Sequence, residues 1–180
     1  LLSAVLALSE TLFYVFVYTI WLKRTSRQNI VIGGAAGAVP VLVGWAAVRD
    51  SLSLAPIVLF AVIFVWTPPH FWALAIKYRD DYTAAEVPML PSVAGFRTTA
   101  RQIVAYTVAL WACTLVFAPV ARMGLLYLIA AVVLGAVFVW FALALQREES
   151  QARAMRLFSY SISYVTLLFA AMALDQLLRR

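Results

Sequence analysis

The sequence predicts an all-α, polytopic transmembrane helix bundle, and three observations lead there. Hydrophobic residues make up 65% of the 180 and charged residues 12%, and mean hydropathy is +0.93, far from the usage of soluble domains. Six apolar runs are each long enough to cross a bilayer, which takes about 20 residues. Those runs are apolar on all sides, without the alternation over about ten residues that a membrane barrel would show.

The runs fall at 2–21, 30–48, 52–76, 99–120, 123–145 and 157–178. The first opens "LLSAVLALSE", with no initiator Met, basic n-region or cleavage site. It therefore reads as the start of the C-terminal part of a longer protein and not as a signal peptide. The second run, "IVIGGAAGAVPVLVGWAAV", is built from small residues. At 100° per residue Gly33, Gly37, Pro40 and Gly44 share one stripe that is almost free of side chains. Either that stripe packs closely on a neighbouring helix, or it borders a cavity for a long lipid-like ligand.

The third run carries "WTPPHFWALAIKYRDDY" at 66–82, with the only histidine of the chain. Thr67 is expected to cap a helix restart with Pro68 at its first position. Such a break is tolerated in lipid only against protein or a wet cavity, so this helix should face the bundle interior. On a straight helix His70, Lys77 and Asp81 return to one stripe, with the imidazole about 16 Å below the carboxylate. The histidine either caps carbonyls freed by the prolines or contacts a buried substrate, as ionisable groups at depth often do. The remaining runs are plain spans. Cys113, alone and within one of them, can form no internal disulfide.

Of the connections, only 77–98 is long, and with Val87, Met89, Leu90 and two prolines it is too apolar for a disordered linker. It is expected to fold back on the membrane surface as a cap. The connection at 22–29 is short and basic, and 146–156 reads as a solvated helical turn. Lys23, Arg24, Arg27, Lys77, Arg79, Arg97, Arg101, Arg147, Arg153 and Arg156 fall on one side, against Arg49, Arg122, Arg179 and Arg180 on the other. The richer side is expected in the cytoplasm, with both chain ends opposite. Basic residues confined to short loops are topology determinants, so nucleic-acid binding is excluded as a function.

An acidic pair in a loop is by default a solvated pair. Asp80 and Asp81, however, share a membrane face with Lys23, Arg24 and Arg27. Carboxylates that hold Mg²⁺ beside cations that hold phosphate oxygens make a diphosphate site.

The blocks "YTIWLKRTSRQN", "IGGAAGAVPVLVGW", "WTPPHFWALAIKYRDDYTAAEVPMLP" and "RLFSYSISYVTLLFAAMALD" resemble the haem-farnesylating branch of the UbiA superfamily of intramembrane prenyltransferases, over about residues 14–178. The "WTPPHFWALAI…DDY…VPMLP" block is specific to that branch. The resemblance implies a single prenyltransferase domain over 1–180, its six spans standing as helices 4–9 of a nine-helix fold whose first three helices are absent. It implies transfer of farnesyl from farnesyl diphosphate to a vinyl group of haem B, giving haem O and diphosphate for terminal oxidases. The fragment alone should be inactive, because the first acidic motif of the superfamily, N-x-x-x-D, belongs to the absent helices.

Carried over by position, Asp81 is the main catalytic and metal residue, with Asp80 a second metal candidate. Lys23 and Arg24 are catalytic and grip diphosphate together with Arg27, while His70 and Tyr82 contact haem or substrate. Mg²⁺ is the implied cofactor. The implied partners are farnesyl diphosphate, haem B, the lipid bilayer and haem A synthase or oxidase assembly proteins. The implied setting is the bacterial inner membrane, with the site on the cytoplasmic side. Glu86 departs from the pattern, standing where the branch carries a small or neutral residue. The readings that compete are a prenyltransferase with a quinone-precursor acceptor and a non-catalytic haem-binding assembly factor. A transporter fits less well, since only Pro68-Pro69 interrupts a span.

Overall fold

The computed structural model describes residues 1–179; Arg180, counted above on the sparsely basic side, lies outside the described residues. Six long helices cross as expected: α1 (Leu2–Thr25), α2 (Asn29–Arg49), α3 (Leu54–Lys77), α5 (Leu90–Val120), α6 (Leu125–Arg147) and α7 (Gln151–Leu178). A short helix α4 (Arg79–Ala84) lies between α3 and α5. Each long helix is apolar enough to span a membrane. The turns between them alternate ends, so one end of the bundle collects Lys23, Arg24, Lys77, Arg79 and Arg147 and the other Arg49, Arg122 and Arg179. We call the first the basic end.

Helix α3 is the centre of the assembly, packing on α2, α5 and α7, while α5, α6 and α7 complete a four-helix cluster around it. The seams are closed by small residues with no exposed surface, Ala73, Ala75, Ala100, Ala131, Ala142 and Ala154. Without a hydrophobic drive between helices in lipid, such residues let backbones approach and gain dispersion contacts. Large rings fill the remaining space, among them Trp72, Phe138 and Tyr164. Helix α1 stands apart, resting on α2 with only Leu22 buried among its residues. Its stretch Phe13–Leu22 is wound as a π-helix.

Three expectations are corrected. The helix does not restart at Thr67: α3 runs unbroken from Leu54 to Lys77 with Pro68 and Pro69 inside. The Thr67 hydroxyl donates to the Ile63 carbonyl at 2.9 Å instead of capping. Thr67, Pro68, Pro69 and His70 are all buried in protein. There the carbonyls freed by the prolines cost less than opening a whole turn would. Nor does the helix reach Asp81 straight. At Tyr78, with φ −99° and ψ 26°, the axis breaks and α4 starts a new direction, at the point where the apolar run gives way to Arg79-Asp80-Asp81. His70 and Asp81 therefore share no helical stripe. The connection at 146–156 is helical only in part: an extended break at Glu148 and Ser150 parts the end of α6 from the first turns of α7, which the Ser150 hydroxyl caps by accepting from the Arg153 amide.

The connection at 77–98 does fold back as a cap. Met89 and Leu90 are buried and Val87 packs on the core. Gly95, at φ +72°, supplies the left-handed bend that turns the start of α5 into the span.

Candidate functional site

Lys23 and Arg24 close α1, where cations suit the negative end of the helix dipole. Ser26 then adopts an extended backbone and ends the helix. The amide of the buried Asn29 donates to the Lys23 carbonyl at 3.3 Å, fixing the short connection while both cationic side chains stay in solvent.

On the other side of the site, Asp80 and Asp81 occupy the first turn of α4, where carboxylates suit the positive end. The Ser92 hydroxyl, donating to the Arg79 carbonyl at 3.3 Å, ties this helix to the cap. The two aspartates differ in company. Asp80 pairs with Arg79 at 3.5 Å and faces a cavity of 180 Å³ shared with Lys77 and Glu149. Asp81 is exposed and makes no ion pair among the described residues. Beside it Tyr82 is half-buried against the core, within electrostatic reach of Tyr18, which lies a little over one turn before Lys23. The structure thus brings Lys23, Arg24, Asp80, Asp81 and Tyr82 to one end of the bundle, the basic and acidic segments on separate helices. Arg27 turns elsewhere, into a polar cavity between α2, α3 and α5.

Beneath Tyr18 lies an apolar cavity of 300 Å³ whose walls include Tyr14, Tyr18, Gly33, Gly37, Trp66 and Phe71. A second, of 450 Å³, follows along α2 at Pro40, Gly44, Trp45 and Phe169. The stripe of small residues borders both. A Cβ at Gly37 or Gly44 would meet nothing within 4 Å, whereas at Gly33 it would fall 2.2 Å from the Tyr18 ring. The stripe thus packs closely on Tyr18 at Gly33 and faces open space at Gly37 and Gly44.

His70 is separate from these cavities. Its ring is stacked between Trp66, with centroids 4.3 Å apart, and Phe158, at 4.6 Å. Nδ1 lies 2.7 Å from the Ser161 hydroxyl, which has the Phe158 carbonyl at 2.6 Å. If the serine donates to that carbonyl, Nδ1 carries the proton and the Nε2 lone pair is left free; only the ring edge then remains for a ligand. Trp66 closes the clamp by donating from its indole to the Ser161 carbonyl at 2.9 Å. His70 therefore does not cap the carbonyls freed by the prolines. Reading the sequence missed this clamp, although Trp66 stands four residues before His70 and so on the same helical face.

It also missed Asp175. This buried carboxylate at the opposite end accepts from the Gly124 amide at 2.6 Å and the Tyr127 amide at 3.3 Å, capping α6 from α7. A lone acidic residue late in an apolar run was the available signal.

Among the described residues no group of three or more His, Cys, Asp or Glu side chains is placed to hold a metal ion. At the basic end Asp81, Glu86 and Glu149 make no ion pair among the described residues, and of the two aspartates predicted to hold a metal the free carboxylate is that of Asp81. It suits the way Mg²⁺ is usually held, by one or two carboxylates together with phosphate oxygens and retained waters.

The UbiA prenyltransferase family model matches residues 1–172. The chain belongs to the UbiA prenyltransferase family. Curated relatives named "Protoheme IX farnesyltransferase" include one from Parafrankia sp., 55% identical over 98% of this chain and 57% of its own length. Others come from Clavibacter sepedonicus, 51% identical over 98% and 59%, and Gloeobacter violaceus, 54% identical over 98% and 58%. The chain thus spans under two thirds of the length of these UbiA relatives. No solved structure matches it.

Proposed function

We propose that this chain supplies one acidic arm and one basic arm of the site of a membrane farnesyltransferase acting on farnesyl diphosphate and haem B. The observation that carries the reading is an exposed basic segment and an exposed acidic segment at one end of a bundle, beside an apolar cavity bordered by glycine. The relatives named protoheme IX farnesyltransferase support it. The six spans correspond to helices 4–9 of a nine-helix fold, the 180 residues form one incomplete domain, and the basic end faces the cytoplasm of a bacterial cell.

The farnesyl chain lies in the apolar cavity along α2, with its diphosphate at the basic end. Lys23 and Arg24 bind phosphate oxygens and stabilise the charge that grows as the farnesyl C–O bond breaks and its electron pair leaves with diphosphate. Asp81 is the main carboxylate for a metal, and Asp80, engaged with Arg79, the secondary one. Mg²⁺, when bound, supplies neutralisation of the leaving group. The vinyl π electrons of haem B form the new C–C bond to the allylic carbon. Water adds to the cation so formed next to the porphyrin and releases its proton to solvent. Tyr82 borders the diphosphate, and His70 meets haem by its ring edge.

The test is haem O formation by the complete protein at the length of its relatives. Asp81→Asn should remove most turnover while the protein stays in the membrane, and the double variant Lys23→Ala/Arg24→Ala should raise KM for farnesyl diphosphate. Near-normal haem O formation by the Asp81 variant would overturn the metal role. The isolated chain should not turn over, and farnesylated haem produced by it would show that the further helices are dispensable.

A further inference from the structure

Two polar cavities open at the basic end, and they differ in charge. The one beside Asp80 is lined by Lys77 and Arg79 but also by Asp80 and Glu149, so its charges balance within the protein. The other, of 160 Å³, lies where the start of α2 meets α3 and α5, and no carboxylate lines it. Its polar lining is Arg27, Gln28, Thr98, Gln102 and Tyr106, every one able to donate, and Trp72 forms the inner wall. Thr98, Gln102 and Tyr106 recur at four-residue spacing and so stand along one face of α5.

A second observation comes from Trp72. Its side chain is 2% exposed, yet its indole Nε1–H has no acceptor among the described residues. Its ring meets Tyr106 edge-to-face at 5.3 Å. Buried donors in native proteins are nearly always paired, and an orphan calls for an explanation. One guanidinium, several neutral donors and an unpaired indole N–H in the inner wall make a lining suited to an acceptor-rich anion.

We infer that this cavity binds a phosphate-bearing anion, held by Arg27 with Gln102 and the Trp72 indole as hydrogen-bond donors. A guanidinium matches two phosphate oxygens at once. Leu90 and Ala94, before the bend at Gly95, give the cavity an apolar margin. The source is either the headgroup of a phospholipid in the adjoining leaflet or a free phosphate. The site is distinct from the one assigned to diphosphate above, and it stands or falls independently of that reading.

The experiment is indole ¹⁵N NMR of the protein in nanodiscs. The six tryptophans of this chain each give an indole signal, and Trp72→Phe identifies the one of interest. Nanodiscs of phosphatidylcholine are compared with discs containing phosphatidylglycerol, and phosphatidylcholine discs are titrated with inorganic phosphate. A shift of the Trp72 signal with phosphatidylglycerol alone assigns a lipid headgroup, and a shift with inorganic phosphate assigns the free anion. In either case Arg27→Gln and Gln102→Leu should weaken the response at least ten-fold. Failure of both probes to move the Trp72 signal, or an unchanged response in both variants, overturns the site. Should Trp72→Phe not fold, native mass spectrometry serves in its place. Arg27→Gln should retain at least five-fold less phosphatidylglycerol or phosphate, and equal retention of both overturns the inference.

Discussion

Replacing Gly135 by alanine tests how tightly α5 and α6 are joined. A Cβ at Gly135 would fall 1.9 Å from Trp111 Cδ1 and 2.3 Å from its Nε1, far inside any real contact. The indole is held there by a hydrogen bond from Nε1 to the Ala131 carbonyl at 3.1 Å, so it cannot withdraw without losing that bond. Overpacking of a filled seam costs about 1–3 kcal/mol and the lost hydrogen bond about 1 kcal/mol. Against these stands the helix-propensity gain of alanine over glycine, about 1 kcal/mol. The net is a destabilisation of about 1–3 kcal/mol. Unfolding in detergent would be followed for the wild type, Gly135→Ala, Trp111→Phe and the double variant. The smaller ring leaves room for the methyl group, so Gly135→Ala should cost markedly less on the Trp111→Phe background. A cost within about 0.5 kcal/mol of zero, or the same cost on both backgrounds, would refute the steric account.

Gly37→Leu should fill part of the apolar cavity, raising KM for farnesyl diphosphate in the complete protein while leaving its thermal stability near wild type, since a Cβ there meets nothing within 4 Å. An unchanged KM would remove the farnesyl chain from this cavity. Glu86 sits at φ +54°, a left-handed conformation that costs an L-residue about 1–2 kcal/mol. After the unfolded-state entropy of glycine is deducted, Glu86→Gly should stabilise by about 0.5–1 kcal/mol, read as a raised midpoint in thermal unfolding; a lowered midpoint would give the Glu86 side chain a role of its own.

Number and placement of the spans were legible because hydropathy and loop charge act locally along the chain. The cap at 77–98 was legible for the same reason: Met89 and Leu90 announce burial within a connection. The Pro68-Pro69 break was misread because proline carries a strong local signal, and nothing local reveals that protein surrounds this part of α3 and lets the helix continue. The bend at Tyr78 was missed because it depends on where the helix leaves the bundle. Glu86, a departure from the branch pattern, sits at φ +54°, a conformation that favours glycine and that only the coordinates reveal. The clamp on His70 joins residues 91 positions apart, a separation no periodicity encodes. The contrast between Asp80 and Asp81 likewise needed coordinates, since adjacent identical residues differ only in what surrounds them.

The central claim is that the segment ending in Lys23 and Arg24 and the segment bearing Asp81 enclose one diphosphate. The most direct measurement is thiol cross-linking of the double variant Arg24→Cys/Asp81→Cys on a Cys113→Ala background, with and without Mg²⁺ and pyrophosphate. The pair Arg79→Cys/Ser92→Cys, whose parent residues are in contact, serves as the control. The account predicts bridging by a short bifunctional reagent and its suppression when Mg²⁺ and pyrophosphate are added. A control that bridges while the Arg24/Asp81 pair does not would contradict it.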